Sequence, residues 1–444
     1  MPATTLNSDS FWQEADASLI RYNGAGDFVR RVIVKARGST MWDSDGNEII
    51  DWTSGQMSSM LGHSHPEIVE TVADSMSTLD HLFSGFVSKP VVDAAVMLGS
   101  ILPPSLSKVI FLNTGAESNE AALKMAKLYT GKHEVVAFSA SWHGMTQAAA
   151  AATFSAGRNG YGPNSPGQFV LPTPNAFTSP FRNSDGTYDW QTELAYGWNL
   201  IDCQSTGSLA ACIVEPILSS GGVIEMPAGY MKALKNECEK RGMLLIMDEA
   251  QTGLGRTGDM FAFEHEGIVP DILTLSKTLG CGLPVAATVT SAHIDQVAHE
   301  KGFLFYTTHV NDPLPAAVAL KAMQIVVRDQ LHFRARELGI KVKSALRELQ
   351  RKYKCIGDVR GRGLLLGVEI RPNPNIPDSQ PAHILGAAIS DRCMELGLSM
   401  NIVRLPHMGG VFRVAPPLTI TDAESEKALE ILDRAFSSVK GTTW

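Results

Sequence analysis

Short runs of apolar, β-prone residues alternate with helical patterns through the middle of this 444-residue chain. The runs are "KVIFLN" (108–113), "EVVAFS" (134–139), "AACIVEPI" (210–217), "GMLLIMDEA" (242–250), "DILTLS" (271–276) and "VAATVTS" (285–291). Each run is apolar on both faces, as the strands of a buried parallel sheet are. Helical stretches such as "YMKALKNECEKRG" separate them. The alternation predicts an α/β fold, with a mostly parallel sheet flanked by helices across about 60–325.

The two ends of the chain have a different pattern. The stretch "ARGSTMWDSDGNEIIDW" (36–52) predicts two short strands around an Asp-Gly turn. From about residue 326, a long helical stretch leads into "CIGDVRGRGLLLGVEI" and later "GGVFRVAPPLTI". We therefore expect a large domain at 60–325 and a smaller α+β domain built from 1–59 and 326–444. The Pro- and Asn-rich stretch 371–381 predicts a surface loop.

Charge, hydropathy and cysteine usage restrict the class of protein. The formal net charge is −8 and no run of Lys or Arg is present, which argues against nucleic acid as the main partner. The longest apolar runs are too short to span a bilayer, and the N-terminus lacks the apolar segment of a secretory signal. The six cysteines are scattered without a CxxC pair, as free thiols in a reducing compartment are. We therefore expect a cytoplasmic enzyme that does not act at a membrane.

A single lysine, Lys277, lies among apolar and small residues in "PDILTLSKTLGCGLP" (270–284). Burial disfavours the charged form of a lysine and lowers its pKa. A neutral amine can attack a carbonyl carbon and hold it as a Schiff base. On its own, however, the pattern favours a lysine whose stem lies along the surface with its amine in water.

The context of Lys277 changes that interpretation. Asp248 ends the apolar run before a Gly-rich loop, where a buried carboxylate is costly unless a cation meets it. Ligands of α/β sheets bind at this end of the strands. Pyridoxal phosphate can bind both residues, because its aldehyde reacts with a lysine amine and its ring nitrogen pairs with an acidic side chain.

Two further stretches fit the same cofactor. Gly115 and Ala116 follow a strand and open a helix, where backbone N–H groups can approach a phosphate. Trp142, in "SWHGMT", can cover one face of a ring. The Gly-rich turn could otherwise be an ordinary connection, and the tryptophan an ordinary core residue. The four features in this order are more specific than any one of them, and they predict a pyridoxal phosphate site.

The chain resembles the fold-type I, class III aminotransferases, which depend on pyridoxal phosphate, over nearly its whole length. The motifs that carry the resemblance are "TSGQMSSMLGHSHP", "NTGAESNEAALKMAK", "SWHGM", "VEPILSSGG", "DEAQTGLGRTG", "TLSKTLGCGLP", "YTTHVNDPLPAA" and "GDVRGRGLLLGVEI". Within that class, "SGQMS", "HLFSG", "YTTHVNDP" and "LSMNIVRLPHMGGVFRVAPP" are most similar to the 2,2-dialkylglycine decarboxylase family.

The resemblance implies a role for each residue at the cofactor. Lys277 would form the Schiff base, Asp248 would pair with the ring nitrogen, and Gln251 would hydrogen-bond the ring hydroxyl. Trp142 would stack on the ring. The backbone of Gly115 and Ala116, together with Thr308 of a second subunit, would bind the phosphate. A site shared in this way requires at least a homodimer, and the resemblance implies a dimer of dimers.

The resemblance also implies an activity. A 2,2-dialkylglycine such as 2-aminoisobutyrate would lose CO2 and leave as a ketone, and a 2-oxo acid such as pyruvate would take the amino group, giving L-alanine. Gln56 would hold the carboxylate that departs as CO2, whereas a fixed arginine would stabilise its anion and oppose the loss. Arg413 and Ser220 would hold a second carboxylate. Gln56 could instead be a loop amide that satisfies backbone groups, and Arg413 a surface or interface ion pair.

The resemblance further implies an alkali-metal site, for K+ or Na+, near the cofactor. Its ligands would be Ser84, Asp312 and the backbone carbonyls of Leu82, Thr308 and Val310. One carboxylate with several neutral oxygens suits a large monovalent ion. The alternative is a capped turn in which Asp312 bonds nearby N–H groups. A second, sodium site of that family has a threonine where this chain has Leu102, so a hydroxyl ligand is lost there.

Two other functions compete with decarboxylation. One is an ordinary class III aminotransferase acting on an ω-amine or amino acid without release of CO2. The other is a catalytically silent relative that serves as a binding module. The joint presence of Lys277, Asp248 and Trp142 argues against a silent relative.

Overall fold

The computed structural model of the protein describes residues 8–24, 27–371, 381–402 and 410–439. The strands, β1 to β17 in chain order, are Ile33–Arg37, Thr40–Asp43, Glu48–Asp51, Lys108–Leu112, Glu134–Phe138, Gln168–Leu171, Leu209–Val214, Ile217–Leu218, Ile224–Glu225, Leu244–Asp248, Ile272–Leu275, Ala286–Thr290, Ile356–Arg362, Leu365–Ile370, Leu398–Ser399, Asn401–Ile402 and Val411–Val414. The helices, α1 to α13, are Ser8–Ser18, Ser54–Met57, Pro66–Thr78, Lys89–Ser100, Gly115–Thr130, Gln147–Ala151, Trp190–Gln204, Tyr230–Lys240, Ala292–Glu300, Pro313–Arg328, Leu331–Lys352, Ala382–Glu395 and Asp422–Ser438. Two 3₁₀ turns cover Ala262–Glu266 and Lys277–Leu279.

A seven-stranded sheet forms the centre of the molecule, in the order β4-β12-β11-β10-β7-β5-β6. The neighbours from β11 to β6 pair in parallel, whereas β12 pairs antiparallel with both β11 and β4. The predicted α/β fold with a mostly parallel sheet is confirmed, and β12, from the apolar run 285–291, is the strand that runs against the others. Apolar residues on both faces report that a strand is covered on both sides, and they do not report its direction.

Helix α5 connects the sheet to the site. Thr114 and Glu117 form a capping box at its start, where each side chain accepts a hydrogen bond from the other residue's backbone N–H. The helix ends at Gly131, whose φ of 69° is left-handed. One face of α5 packs against the sheet, where Leu123 belongs to the same buried cluster as Ile246 and Ile272. This packing fixes the start of α5 beside the carboxyl ends of the parallel strands.

The chain ends form smaller sheets. The hairpin predicted around the Asp-Gly turn is confirmed as β2 and β3, and β15 runs parallel to β3. Strands β13, β14, β17 and β16 form a second sheet in that order. The domain boundaries at 59/60 and 325/326 stay a prediction. Most of the predicted loop 371–381 lies outside the described residues.

Among the residues that the structure describes, no helix is both long enough and apolar enough to cross a membrane.

Candidate active site

Six of the predicted site residues line one cleft at the carboxyl ends of the sheet strands. Including its open mouth, the cleft has an empty volume of about 480 Å³. The six are Gly115, Ala116, Trp142, Asp248, Gln251 and Lys277. They come from separate segments of the chain, which the parallel strands bring to a common edge.

Asp248, the last residue of β10, is buried at the floor of this cleft. Its Oδ2 atom hydrogen-bonds Asn119 Nδ2 and His143 Nδ1, each at 2.8 Å, and its Oδ1 accepts from the Ala250 N–H. Burial acts to raise the pKa of Asp248, but the hydrogen bond and charge of His143, followed by the bond from Asn119, hold this pKa below its ordinary value. Asp248 is therefore a carboxylate suited to a cationic group in the cleft.

Three residues that support Asp248 were not assigned a role from the sequence. Thr274 Oγ1 donates to Asn119 Oδ1 at 2.7 Å, which turns the amide NH2 group of Asn119 toward Asp248. His143 lies beside Trp142 in a motif that the sequence did single out. The order of residues gives no sign of this network, because its members lie on α5, the loop after β5, and the neighbouring strands β10 and β11.

Lys277 opens the 3₁₀ turn that follows β11. Burial lowers the pKa of its amine; Asp248 opposes this effect, and the nearby charge of Arg413 adds to it. Lys277 Nζ makes no hydrogen bond to another described residue. A lysine with a lowered pKa and an unoccupied amine can act as a nucleophile toward a carbonyl carbon.

The start of α5 leaves room for an anionic group. A Cβ on Gly115 would lie 2.8 Å from Ser276 Oγ, and a Cβ on Gly144, whose φ is +134°, would lie 2.6 Å from Ala116 Cβ. Ser276 Oγ is buried without a hydrogen-bond partner. Backbone N–H groups at a helix start, together with an unpartnered hydroxyl, suit a phosphate. The cleft therefore fits pyridoxal phosphate: it combines a lysine, a buried carboxylate, an anion cradle and an indole.

Gln251 connects the cleft to Arg413, which lies on β17. Gln251 Oε1 accepts from Ser219 Oγ and from Arg413 Nη1 at 3.0 Å, while Gln251 Nε2 donates to Ser220 Oγ. Arg413 is 6% exposed, and burial lowers its pKa to about 10, against the opposing charge of Glu215. Among the described residues, no carboxylate pairs with Arg413. A surface ion pair does not match this environment, whereas a site for an incoming carboxylate does.

Gln56 and Thr308 are not among the residues that line the cleft. Gln56 is exposed in α2, a single irregular turn over Ser54–Met57 in which Ser54, Gly55 and Met57 have positive φ angles of 50°, 61° and 62°. The turn lies close to Lys277, because Ser58 Oγ donates to the Lys277 carbonyl oxygen at 3.1 Å. Thr308 is exposed to solvent in the single chain.

The segments predicted to hold an alkali ion do lie together. Ser84 Oγ donates to the carbonyl oxygens of Thr307 and Thr308. The carboxylate of Asp312 does not cap the following helix, and its oxygens hydrogen-bond His81 Nδ1 and His309 Nδ1 instead. The capped-turn alternative is therefore wrong for Asp312. The two histidines were not assigned a role from the sequence.

The family model for class III aminotransferases matches residues 22–436. The chain belongs to the class III aminotransferase family. An uncharacterized aminotransferase of Schizosaccharomyces pombe is 55% identical over 432 residues, which is 97% of this chain and 96% of the relative.

Two solved structures are similar to this class III aminotransferase. One is an (S)-enantioselective omega-transaminase of Thermomicrobium roseum, with a TM-score of 0.88, 27% identity, and coverage of 98% of this chain and 99% of that one. The other is a taurine:2-oxoglutarate aminotransferase of Bifidobacterium kashiwanohense, solved with PLP and glutamate, with a TM-score of 0.86, 28% identity and coverage of 97% of both chains. These comparisons confirm the fold-type I architecture and a pyridoxal phosphate-dependent aminotransferase. None of the three relatives is named as a decarboxylase.

One buried carboxyl group beside the cleft leads to a prediction about stability. Glu249 accepts hydrogen bonds from the Ala262 and Phe263 N–H groups, and burial raises its pKa to about 7 from an ordinary value of 4.5. The folded chain therefore keeps this proton between pH 4.5 and 7, where the unfolded chain releases it. The stability contributed by the protonated form is complete below pH 4.5 and is lost as the pH rises to 7.

We expect Glu249→Gln to remove this pH dependence. From pH 4.5 to 7, the unfolding free energy of the unchanged chain should fall by about 3 kcal/mol relative to that of the variant. Urea unfolding at a series of pH values measures the difference. Glu239→Gln, at a side chain that is 60% exposed, is the control and should keep the original slope. Parallel curves for the unchanged chain and Glu249→Gln would contradict the prediction.

Proposed function

We propose that this aminotransferase decarboxylates 2,2-dialkylglycines such as 2-aminoisobutyrate, releases a ketone and CO2, and passes the amino group to a 2-oxo acid such as pyruvate, giving L-alanine. The observation that carries the proposal is the position of Gln56. Gln56, a neutral amide and not a cation, lies two residues before Ser58, whose Oγ donates to the Lys277 carbonyl oxygen.

The proposed roles at the cofactor follow from the geometry of the cleft. When bound, pyridoxal phosphate supplies an electron sink for the bond that breaks at the substrate's Cα. Lys277 holds the cofactor through its amine and, once released, carries protons to and from the substrate. The hydrogen bonds from His143 and Asn119 keep the Asp248 carboxylate ionised. The negative charge of Asp248 would therefore keep a proton on the ring nitrogen. Trp142 covers the ring, and the start of α5 holds the phosphate.

Gln56 decides which bond is aligned for cleavage. A dialkylglycine has no hydrogen on Cα, so the useful cleavage is the loss of its carboxylate. An amide can donate a hydrogen bond to that carboxylate without adding a charge that favours the anion over neutral CO2. The turn that carries Gln56 is held by Asp51, whose carboxylate accepts from the N–H groups of Thr53 and Gly55. These bonds fix the backbone of the turn, while the exposed Gln56 side chain stays free to meet a substrate.

Arg413 and Ser220 bind the carboxylate that is kept. Among the described residues, Arg413 Nη1 bonds only the neutral Oε1 of Gln251. An incoming carboxylate offers a bidentate, charge-assisted partner and should displace this contact. Gln251 would then be released to the ring hydroxyl of the cofactor, while its amide continues to contact Ser220.

The second candidate function is an ordinary class III aminotransferase that acts on an amino acid or an ω-amine without release of CO2. The three relatives described above are named as aminotransferases or transaminases, which favours this function. The same cleft serves both reactions, so the role of Gln56 separates them.

The test measures CO2 and alanine together from 2-aminoisobutyrate and pyruvate in potassium buffer. Equal amounts of the two products are expected, and Gln56→Ala should lower CO2 release by about 100-fold, as the loss of one transition-state donor does. Gln56→Asn, which keeps the amide on a shorter stem, is the matched variant and should retain more activity. Alanine from other donors with no CO2 from any dialkylglycine would establish the ordinary aminotransferase and refute the role of Gln56.

We also propose that the active unit is at least a homodimer and that two homodimers assemble into a tetramer. We further propose that the enzyme is cytoplasmic. Phe83, Leu304 and Tyr306 are large apolar side chains that are 67%, 70% and 58% exposed, and they lie close in sequence to Ser84 and Thr308. An apolar surface of this kind is typical of a subunit interface. Thr308 would then reach the phosphate of the partner subunit. Light scattering in solution tests the assembly, and a monomeric active enzyme would refute it.

The alkali ion is proposed at Ser84, Asp312 and the carbonyl oxygens of Leu82, Thr308 and Val310. The support is the contact between Ser84 and the carbonyls of residues 307 and 308. When the ion binds, the Asp312 carboxylate would lose its hydrogen bond to one of the two histidine rings and would contact the ion instead. Activity should be higher in K+ or Na+ than in tetramethylammonium, and equal activity in all three would refute the site.

A further inference from the structure

We propose that His81, His309 and Asp312 form a binding site for a divalent transition-metal ion such as Zn2+, outside the catalytic cleft. One ring nitrogen of each histidine and a carboxylate oxygen of Asp312 all lie within 4.8 Å of one another. His81 comes from the loop after α3, whereas His309 and Asp312 precede α10. The proposal does not depend on whether the enzyme releases CO2.

Asp312 is the buried member of this set. Its side chain is 7% exposed, and the two carboxylate oxygens face His81 Nδ1 at 2.7 Å and His309 Nδ1 at 2.5 Å. Within the described residues, neither a lysine nor an arginine pairs with it. A buried carboxylate is stable only with partners that offset its charge. Two imidazoles converging on one carboxylate form a donor set of two nitrogens and one oxygen.

This donor set selects the class of ion. Imidazole nitrogens with a single carboxylate suit Zn2+ and related transition ions, whereas Mg2+ and alkali ions prefer oxygen ligands. Three protein ligands leave a fourth position for water, as in open zinc sites. The same carboxylate is one ligand of the proposed alkali site, so occupation by a transition ion should exclude the alkali ion from Asp312.

The geometry needs only a small adjustment. Ligand bonds of 2.0–2.2 Å place two ligands of a tetrahedral zinc ion roughly 3.4 Å apart. The nitrogen–oxygen pairs are now at hydrogen-bond distance, so each ring must move away from the Asp312 carboxylate by about 1 Å to admit an ion. In the single chain the side chains of His81 and His309 are 44% and 56% exposed, so neither ring is enclosed by other residues of its own chain. The ion would then join the two loops that the histidines occupy.

The experiment titrates Zn2+ into the chelator-treated holoenzyme by calorimetry. The chain carries Cys203→Ser, because Cys203 is an exposed thiol that could bind zinc by itself. One Zn2+ per chain is expected. His81→Gln and His309→Gln should each weaken binding by at least about 100-fold, since losing a ligand costs more than losing an outer partner. His299→Gln, at an exposed histidine outside the cluster, is the control and should bind as before.

The outcomes distinguish a metal-binding site from a cluster of side chains that is held only by hydrogen bonds. Loss of the zinc site in either histidine variant, with retention in His299→Gln, supports the proposal. Absence of Zn2+ binding in the parent chain, or undiminished binding in the double variant His81→Gln, His309→Gln, overturns it. Both glutamines can keep a hydrogen bond to Asp312, so the variants are expected to remain folded, which their melting temperature verifies.

Discussion

Replacing Lys277 by alanine is expected to abolish turnover with every amino donor, by at least about 1,000-fold, because the chain loses both its nucleophile and its proton carrier. Pyridoxal phosphate should still enter the cleft, since the start of α5, Trp142 and Asp248 are unchanged. It should, however, be removed by dialysis, because the covalent attachment is gone. Activity assays and the visible absorbance of the dialysed protein measure the two effects.

Two further variants make this prediction specific to the amine. Lys277→Arg keeps the positive charge but not the nucleophile, and it should be as inactive as the alanine variant. Lys89→Ala, at a lysine whose side chain is 82% exposed, should keep full activity. A Lys277→Ala protein that still turned over, or a Lys277→Arg protein close to normal, would refute the assignment of Lys277.

Asp248→Asn is expected to have the second largest effect. The amide has nearly the same shape, so His143 and Asn119 keep a partner, but the negative charge that would pair with the ring nitrogen is lost. The new amide could not keep a proton on the ring nitrogen as the Asp248 carboxylate would, so the cofactor would be a weaker electron sink. We expect kcat to fall by about 100- to 10,000-fold, as for other groups that hold a proton in the transition state, with a smaller change in KM.

A comparison with a neighbouring residue tests the cause of this loss. Asn119→Ala removes one hydrogen bond to Asp248 but leaves the carboxylate and His143 in place. Its effect should be about 10-fold or less, which corresponds to a hydrogen bond of about 1 kcal/mol. If Asp248→Asn and Asn119→Ala had equal effects, the charge of Asp248 would not be the decisive property. An Asp248→Asn enzyme with an unchanged kcat would also contradict the prediction.

The sequence by itself determined which functional residues follow the strands of the central sheet. A carboxylate closing one apolar run, a lysine following the next, and a Gly-Ala step opening a helix could be recognised without coordinates. Parallel strands bring their carboxyl ends to one edge of the sheet, so Asp248, Lys277 and Gly115 had to meet once the α/β pattern was recognised. The short distance in sequence from each strand to its functional residue made these positions predictable.

Only the tertiary structure decided features that depend on packing between distant segments. The hydrogen bonds of Asp248 join residues from α5, β10 and the loop after β5, and no local pattern encodes that meeting. The direction of β12 was equally hidden, because apolar residues on both faces indicate burial and not polarity. His81 and Asp312 are separated by 231 positions, and their hydrogen bond arises from the contact between two loops. Local propensity and periodicity act over a few residues, whereas these contacts depend on how whole elements pack.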